Sequence, residues 1–231
     1  MKRIKSNIDK IRDSIAWITS SNIRNSDFGT FCQASGNMPP RTFALDMPIR
    51  WNSTYLMLES CLPYAKLITA FVMSRQGPHI LLDRDWQLAN KFYNFLKTFY
   101  DATVKLSGVY YPTSPLIIHT IIDISMLFDE YRYDENLREV VQSMEIKFKK
   151  YWKPLPFLYC LATILDPRLK IGGLEKILSG LTDLLGEDYM SQIVDIQNSL
   201  VQIFFQYQDR YGVQVRPNPS PAQQEQQANR S

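Results

Sequence analysis

Isoleucine recurs at positions 4, 8, 11, 15 and 18, in alternating steps of four and three with polar residues between. That spacing places all five on one face of an α-helix. The stretch SSNIRNSDFGTF interrupts the pattern, and ASGNMPPR reads as a loop by its Gly and Pro content. TFALDMPI is the one convincing strand candidate, a short strand near residues 43–48 that Pro48 ends. Helical periodicity then takes over. It predicts helices over about 53–74 and about 85–107, the second carrying Trp86, Ala89, Phe92, Leu96 and Phe99. SGVYYPTSP is a break, and a further helix is expected over about 113–130. Leu137, Val140, Val141, Met144, Phe148, Tyr151 and Trp152 mark the next, stopped by Pro154 and Pro156. FLYCLATIL fits strand or helix by pattern, and its Ala and Leu content favours helix. Asp166 suits an N-cap and Pro167 a first helical position, so a new helix is expected there. A last helix is expected over about 188–210. Beyond Gly212 the chain is polar, Pro- and Gln-rich, and reads as a disordered tail.

Composition agrees with a mostly α protein. The 231 residues are 45 % hydrophobic and 13 % aromatic, with only 9 glycines, enough apolar material to bury a sizeable core. No apolar run of about 18 residues stands out, and the basic start lacks an apolar segment behind it; neither a membrane span nor a signal peptide is expected. The net charge of +3 is mild. Its distribution is uneven, because residues 1–24 hold six basic side chains against Asp9 and Asp13. A basic first helix can be a solvated surface or a phosphate-binding one.

Candidate chemistry is sparse. Cys32, Cys61 and Cys160 form no Cys-x-x-Cys pair, which argues for a reducing compartment and against a zinc finger or disulfide framework. Cys160, inside an apolar run, reads as a small core residue. With only His79 and His119, a histidine metal site is not expected. His119 reads as a packed or edge histidine. There is no Gly-rich phosphate loop, His-Glu-x-x-His helix or Gly-x-Ser-x-Gly elbow. The acidic pairs Asp83/Asp85 and Asp129/Glu130 read as solvated turn or helix-end residues. From the residues alone, no catalytic group, metal site or cofactor site emerges.

The stretch LDMPIRWNSTYLML resembles the Asp-x-x-Thr-Arg-Trp-Asn-Ser-Thr-Tyr block of hAT-superfamily transposases, especially the plant type with a BED zinc finger. Downstream, FYDATVKLSGVYYPTSP, MEIKFKKYW and LATILDPRLK follow in the family's order; upstream, IDKIRDSIAWITSSNIRNSDF resembles the helix before the strand. The similarity covers most of residues 5 to about 210. It implies an RNase H-like core interrupted by a helical insertion, with three acids holding two metal ions for strand transfer. By that resemblance the first two acids would lie upstream of this chain's first helix and the third beyond its polar tail. The expected anatomy is therefore a remnant of the RNase H-like core over 1–48, a helical insertion over 49–211 and a tail over 212–231. The expected activity is DNA binding in the nucleus, without independent catalysis.

The resemblance gives the Arg50–Trp51 pair a DNA role, with Trp51 stacking on an extruded base and Arg50 neutralising phosphate. Trp51 as a core anchor and Arg50 as a plain surface charge is the competing reading. Asn52 belongs to the same block, and Lys2, Arg3 and Lys5 are candidate phosphate contacts on the basic first helix. Ile49 stands where the family has Thr, removing a hydroxyl that could cap a helix or meet phosphate. Asp46 is not equated with a metal ligand; it is expected to orient Arg50 or cap the following helix. Asp166 and Arg168 are read as a helix cap with its arginine. Expected partners are DNA and either a second copy or a full-length transposase relative. A protein-interaction scaffold or an inert relic is the alternative.

Overall fold

The computed structural model describes residues 2–40, 42–44, 46–47, 50–110 and 113–212. Among these residues ten α-helices follow one another: α1 Lys2–Thr19, α2 Asn22–Ala34, α3 Trp51–Cys61, α4 Ala65–Ser74, α5 Asp83–Leu106, α6 Ser114–Tyr131, α7 Arg138–Trp152, α8 Phe157–Ile164, α9 Lys170–Leu185 and α10 Ile193–Tyr211. The mostly α expectation holds. Among the described residues there is no strand. The chain divides into two compact units, residues 1–190 and 191–231.

The five isoleucines of α1 are all buried, as their spacing requires. They join one cluster with Phe28 of α2, Met57 and Leu58 of α3, Phe71 of α4, Phe95 of α5, Phe128 of α6 and Val141 of α7. Within it, α3 packs along α5, and Tyr55 stacks between Tyr93 and Tyr100 with ring centroids 5.0 and 4.4 Å away. A further group of contacts joins α6, α8 and α9, where Ile118, Cys160, Leu174, Leu178 and Leu181 are buried. In the second unit α10 buries only Ile196.

Three expectations need correction. The segment SSNIRNSDFGTF is helical, forming α2 behind an N-cap at Ser21. Its short polar side chains and only two buried anchors, Phe28 and Cys32, give almost no periodic signal. The strand expected near 43–48 is absent at residues 43, 44, 46 and 47, while Leu45 and Pro48 lie outside the described residues. With no neighbouring strand to form a ladder, its backbone turns to helix α3: the Ala44 N–H donates to Ser60 Oγ at 3.1 Å and the Met47 N–H to Ser53 Oγ at 2.7 Å. Finally, α9 starts at Lys170 rather than at Asp166. The Asp166 carboxylate accepts from the Arg168 N–H at 3.0 Å, closing a local turn that competes with helix.

Contrary to the expectation that no such run exists, Trp51–Ser74 is long and apolar enough to cross a membrane by length and composition. In this fold a 3-10 turn at Leu62–Tyr64 divides it into α3 and α4. Both halves carry core residues, among them Tyr55, Leu58, Ile68 and Phe71. The polar tail from residue 213 onward lies outside the described residues.

Replacing Ile11, which is completely buried, by alanine should cost about 2–5 kcal/mol in urea unfolding. Ile23→Ala, on the exposed side of α2, should stay within about 0.5 kcal/mol of the parent.

Candidate nucleic-acid interface

The block LDMPIRWNST folds around the carboxylate of Asp46, whose side chain is fully buried. Asp46 Oδ2 accepts from Arg12 Nε at 2.8 Å and from Arg12 Nη2. Asp46 Oδ1 accepts from Ser53 Oγ and Thr54 Oγ1, each at 2.9 Å. Met47 O and Arg50 O also lie within reach of the Ser53 hydroxyl. That hydroxyl has a single hydrogen, and the charged carboxylate is the stronger acceptor. Asp9 takes the remaining arm of the Arg12 guanidinium through Nη1. Burial works against the Arg12 charge, but the hydrogen bonds to Asp46 and Asp9 more than offset it and hold its pKa above the ordinary value.

This arrangement corrects the expectation for Asp46. It makes no bond to Arg50. It grips the first turn of α3 through side-chain hydroxyls rather than through backbone N–H groups. Its cationic partner comes from α1, 34 residues upstream, which no local pattern indicates. The acids that the family resemblance implies would need free oxygens converging on metal. Asp46 offers none, and among the described residues no three His, Cys, Asp or Glu side chains gather to hold an ion. The oxygens of Asp46 therefore do not fit a metal site.

Arg50 is the N-cap residue of α3, in extended conformation, with no side-chain cap bond. Its side chain is exposed and has no ion-pair partner among the described residues. Trp51 begins the helix and is exposed on one side and packed on the other. It is 39 % exposed, and its inner edge meets Phe99 with ring centroids 6.0 Å apart at 67°. Asn52 is half-buried, and its Oδ1 is enclosed without a hydrogen-bond donor among the described residues. That oxygen faces into the protein.

On α1, Arg3 and Lys5 are exposed, while the side chain of Lys2 lies outside the described ones. No hydrogen bond or ion pair joins Arg3 or Lys5 to Arg50. Three of the six basic side chains in residues 1–24 are engaged within the protein. Arg12 is held by two carboxylates, Lys10 lies 4.0 Å from Asp85, and Arg24 covers the Trp17 ring at 4.7 Å.

Other candidates resolve as structure. Asp85, expected to be solvated, is buried: it accepts from the Leu82 N–H at 2.9 Å and from Asn7 Nδ2 at 3.1 Å, tying α5 to α1. Its partner Asp83 is exposed, as are Asp129 and Glu130. Asp166 pairs with Arg168, whose guanidinium holds the carboxylate down to about 2. The three cysteines are free and buried, and burial pushes the thiols of Cys61 up to about 12 and Cys160 up to about 11. They are core residues, not nucleophiles.

Two family models match this chain. A ZBED1 RNase-like helical domain covers residues 1–95, and an hAT-like transposase domain of RNase-H fold covers residues 115–207. Among curated proteins, the Zinc finger BED domain-containing protein RICESLEEPER 2 of Oryza sativa subsp. japonica is 26 % identical over 84 % of this chain and 27 % of its own length. An AC transposase sequence of Zea mays is 29 % identical over 72 % of this chain and 21 % of its own. The Arabidopsis thaliana protein DAYSLEEPER is 24 % identical over 72 % and 24 % respectively. The chain thus spans about a quarter of the length of the curated relatives it matches. No solved structure matches it.

Asp46→Ala should destabilise the fold by about 1–3 kcal/mol, because Arg12 is left partly buried with only Asp9 to answer it. Asp129→Ala, at an exposed ion pair, should change the urea midpoint by much less. Equal effects of the two substitutions would remove Asp46 from its central place.

Proposed function

Because the chain belongs to the hAT-type transposase-like proteins, we propose that it acts as a DNA-associated helical module without a catalytic step of its own. In this reading Arg50 meets phosphate and the exposed face of Trp51 stacks on an unpaired base, while Arg3, Lys5 and Lys2 add sequence-independent attraction. The observation that carries it is the Asp46 clamp. It fixes the first turn of α3 while leaving the Arg50 guanidinium unpaired and Trp51 open on one side. The first N–H groups of a helix also favour an anion at this end. Asn52, with its amide oxygen enclosed, does not present that oxygen to DNA.

Asp46 itself, with its oxygens engaged by Arg12, Ser53 and Thr54, offers nothing to a metal ion. Nuclear localisation, and partnership with a second copy or a longer transposase relative, complete the proposal. So does the ancestry that assigns residues 1–48 to a core remnant and 49–211 to an insertion. The two family models leave their own gap elsewhere, between residues 95 and 115. A second reading, a protein-interaction scaffold, is favoured by α10, where Val194, Val201, Phe204, Phe205 and Tyr207 are all exposed. An inert relic would show neither activity.

The test is binding to a labelled hairpin-end DNA across a salt series. Affinity should fall steeply with salt, and Trp51→Ala should weaken it about 5- to 100-fold at fixed salt. Binding that ignores this substitution would reduce the interaction to phosphate attraction. No binding by folded protein would leave the scaffold or the relic. Added Mg²⁺ or Mn²⁺ should produce no strand cleavage above background.

A further inference from the structure

Trp51 is the first member of a continuous series of ring contacts. Its ring meets Phe99, which meets Phe128 at 5.9 Å, then Phe148 at 5.3 Å, Trp152 at 6.2 Å and Tyr159 at 6.1 Å. Phe128 is fully buried, but the other members keep partial exposure. The later rings surround an open recess of about 570 Å³ between α5, α6, α7 and α8. Its size lies within the roughly 300–1,000 Å³ of ordinary ligand pockets.

The chemistry of its lining is one-sided. Apart from Met144 and Pro156 the walls are aromatic, and the single charged side chain is Lys147. No carboxylate lines it. The neighbouring acids are already engaged: Glu145 by Arg132 and Lys149, and Glu187 by Lys153. Lys147 and Lys150 are exposed and have no ion-pair partner among the described residues. Tyr151 stands at the rim, 75 % exposed, beside Lys147. A core needs rings packed against rings. It does not need five of them left half-open around a cavity with an unpaired cation at its edge.

We propose that this recess receives one unstacked nucleobase of a DNA strand, with Lys147 against the adjoining phosphate. Aromatic faces replace the stacking that an extruded base loses, and every base has such a face. A positive rim without a carboxylate fits a polyanion and disfavours an acidic or neutral peptide. The proposal rests on the DNA-binding reading above and adds a second base site, joined to Trp51 through Phe99.

The test uses the full chain and a hairpin-end DNA bearing unpaired nucleotides beside the duplex, compared with probes made abasic at each unpaired position in turn. One abasic position should weaken the parent about 5- to 100-fold. Tyr151→Ala and Lys147→Glu, both at exposed rim positions, should bind the intact probe more weakly and lose sensitivity to that position. Trp51→Ala should keep that sensitivity while losing it at another position. Lys147→Glu should also lower the salt slope by about one. If both rim variants, with unchanged circular dichroism, discriminate as the parent does, the recess is not a base site and Trp51 alone carries the interaction. If the parent binds no probe, the DNA reading falls and this site falls with it. If the rim variants alter only self-association in sedimentation, the recess belongs to a protein interface and the proposal is wrong.

Discussion

The carboxylate of Asp46 is the constraint on which the candidate interface depends. A buried carboxylate costs several kcal/mol unless it is paired and its lone pairs are filled. Here it has two donors from Arg12 and one each from Ser53 and Thr54. Satisfying that one group fixes α1 against the start of α3. The backbone just before α3 is tied to the same helix. The Met47 N–H goes to Ser53 Oγ and the Ala44 N–H to Ser60 Oγ, so helix hydroxyls replace the missing ladder. The position of Arg50 and Trp51 follows from this, because both are attached to the clamped turn.

Much of the fold was legible because it rests on local periodicity. The isoleucine stripe of α1 and, in α5, Trp86, Ala89 and Leu96 became buried faces, whereas of the apolar positions read for α7 only Leu137 and Val141 are buried. Periodicity failed where a helix buries little, as in α2, and where a short polar side chain offers the backbone another partner, as at Asp166. The site was less legible for a different reason. Arg12 and Asp46 are 34 residues apart, and Asn7 and Asp85 are 78 apart. Pairings of that range depend on how helices cross, which a one-dimensional pattern does not encode. Asp9 and Arg12 at a spacing of three gave only a weak hint that this arginine was committed. MEIKFKKYW carries a family resemblance, and its spacing also places Met144, Phe148 and Tyr151 around one recess.

Charge counting alone misleads here. Six basic residues near the N-terminus look like a phosphate-binding helix. Arg12, Lys10 and Arg24 are instead employed within the protein. Among the described residues, the cations without an ion-pair partner include Arg50 at the start of α3, next to Trp51, Lys147 at the aromatic recess, and Lys150 on the same helix. Attraction to nucleic acid would therefore come from scattered cations beside rings, not from a broad basic face.

That distinction bears on what kind of DNA such a surface could recognise. Phosphate contacts position a protein without reading sequence. Stacking on Trp51 or in the α7 recess is also tolerant of base identity, since any base offers a π face. Reading a base edge needs polar groups held toward the groove, and Asn52, the natural candidate in the block, has its amide oxygen enclosed. What the arrangement can distinguish is whether bases are available to leave the stack. Extrusion costs least where pairing is already disrupted, at a mismatch, a hairpin tip or a strand end. A module built this way would select DNA by structure, and sequence preference would have to come from a different part of any larger assembly.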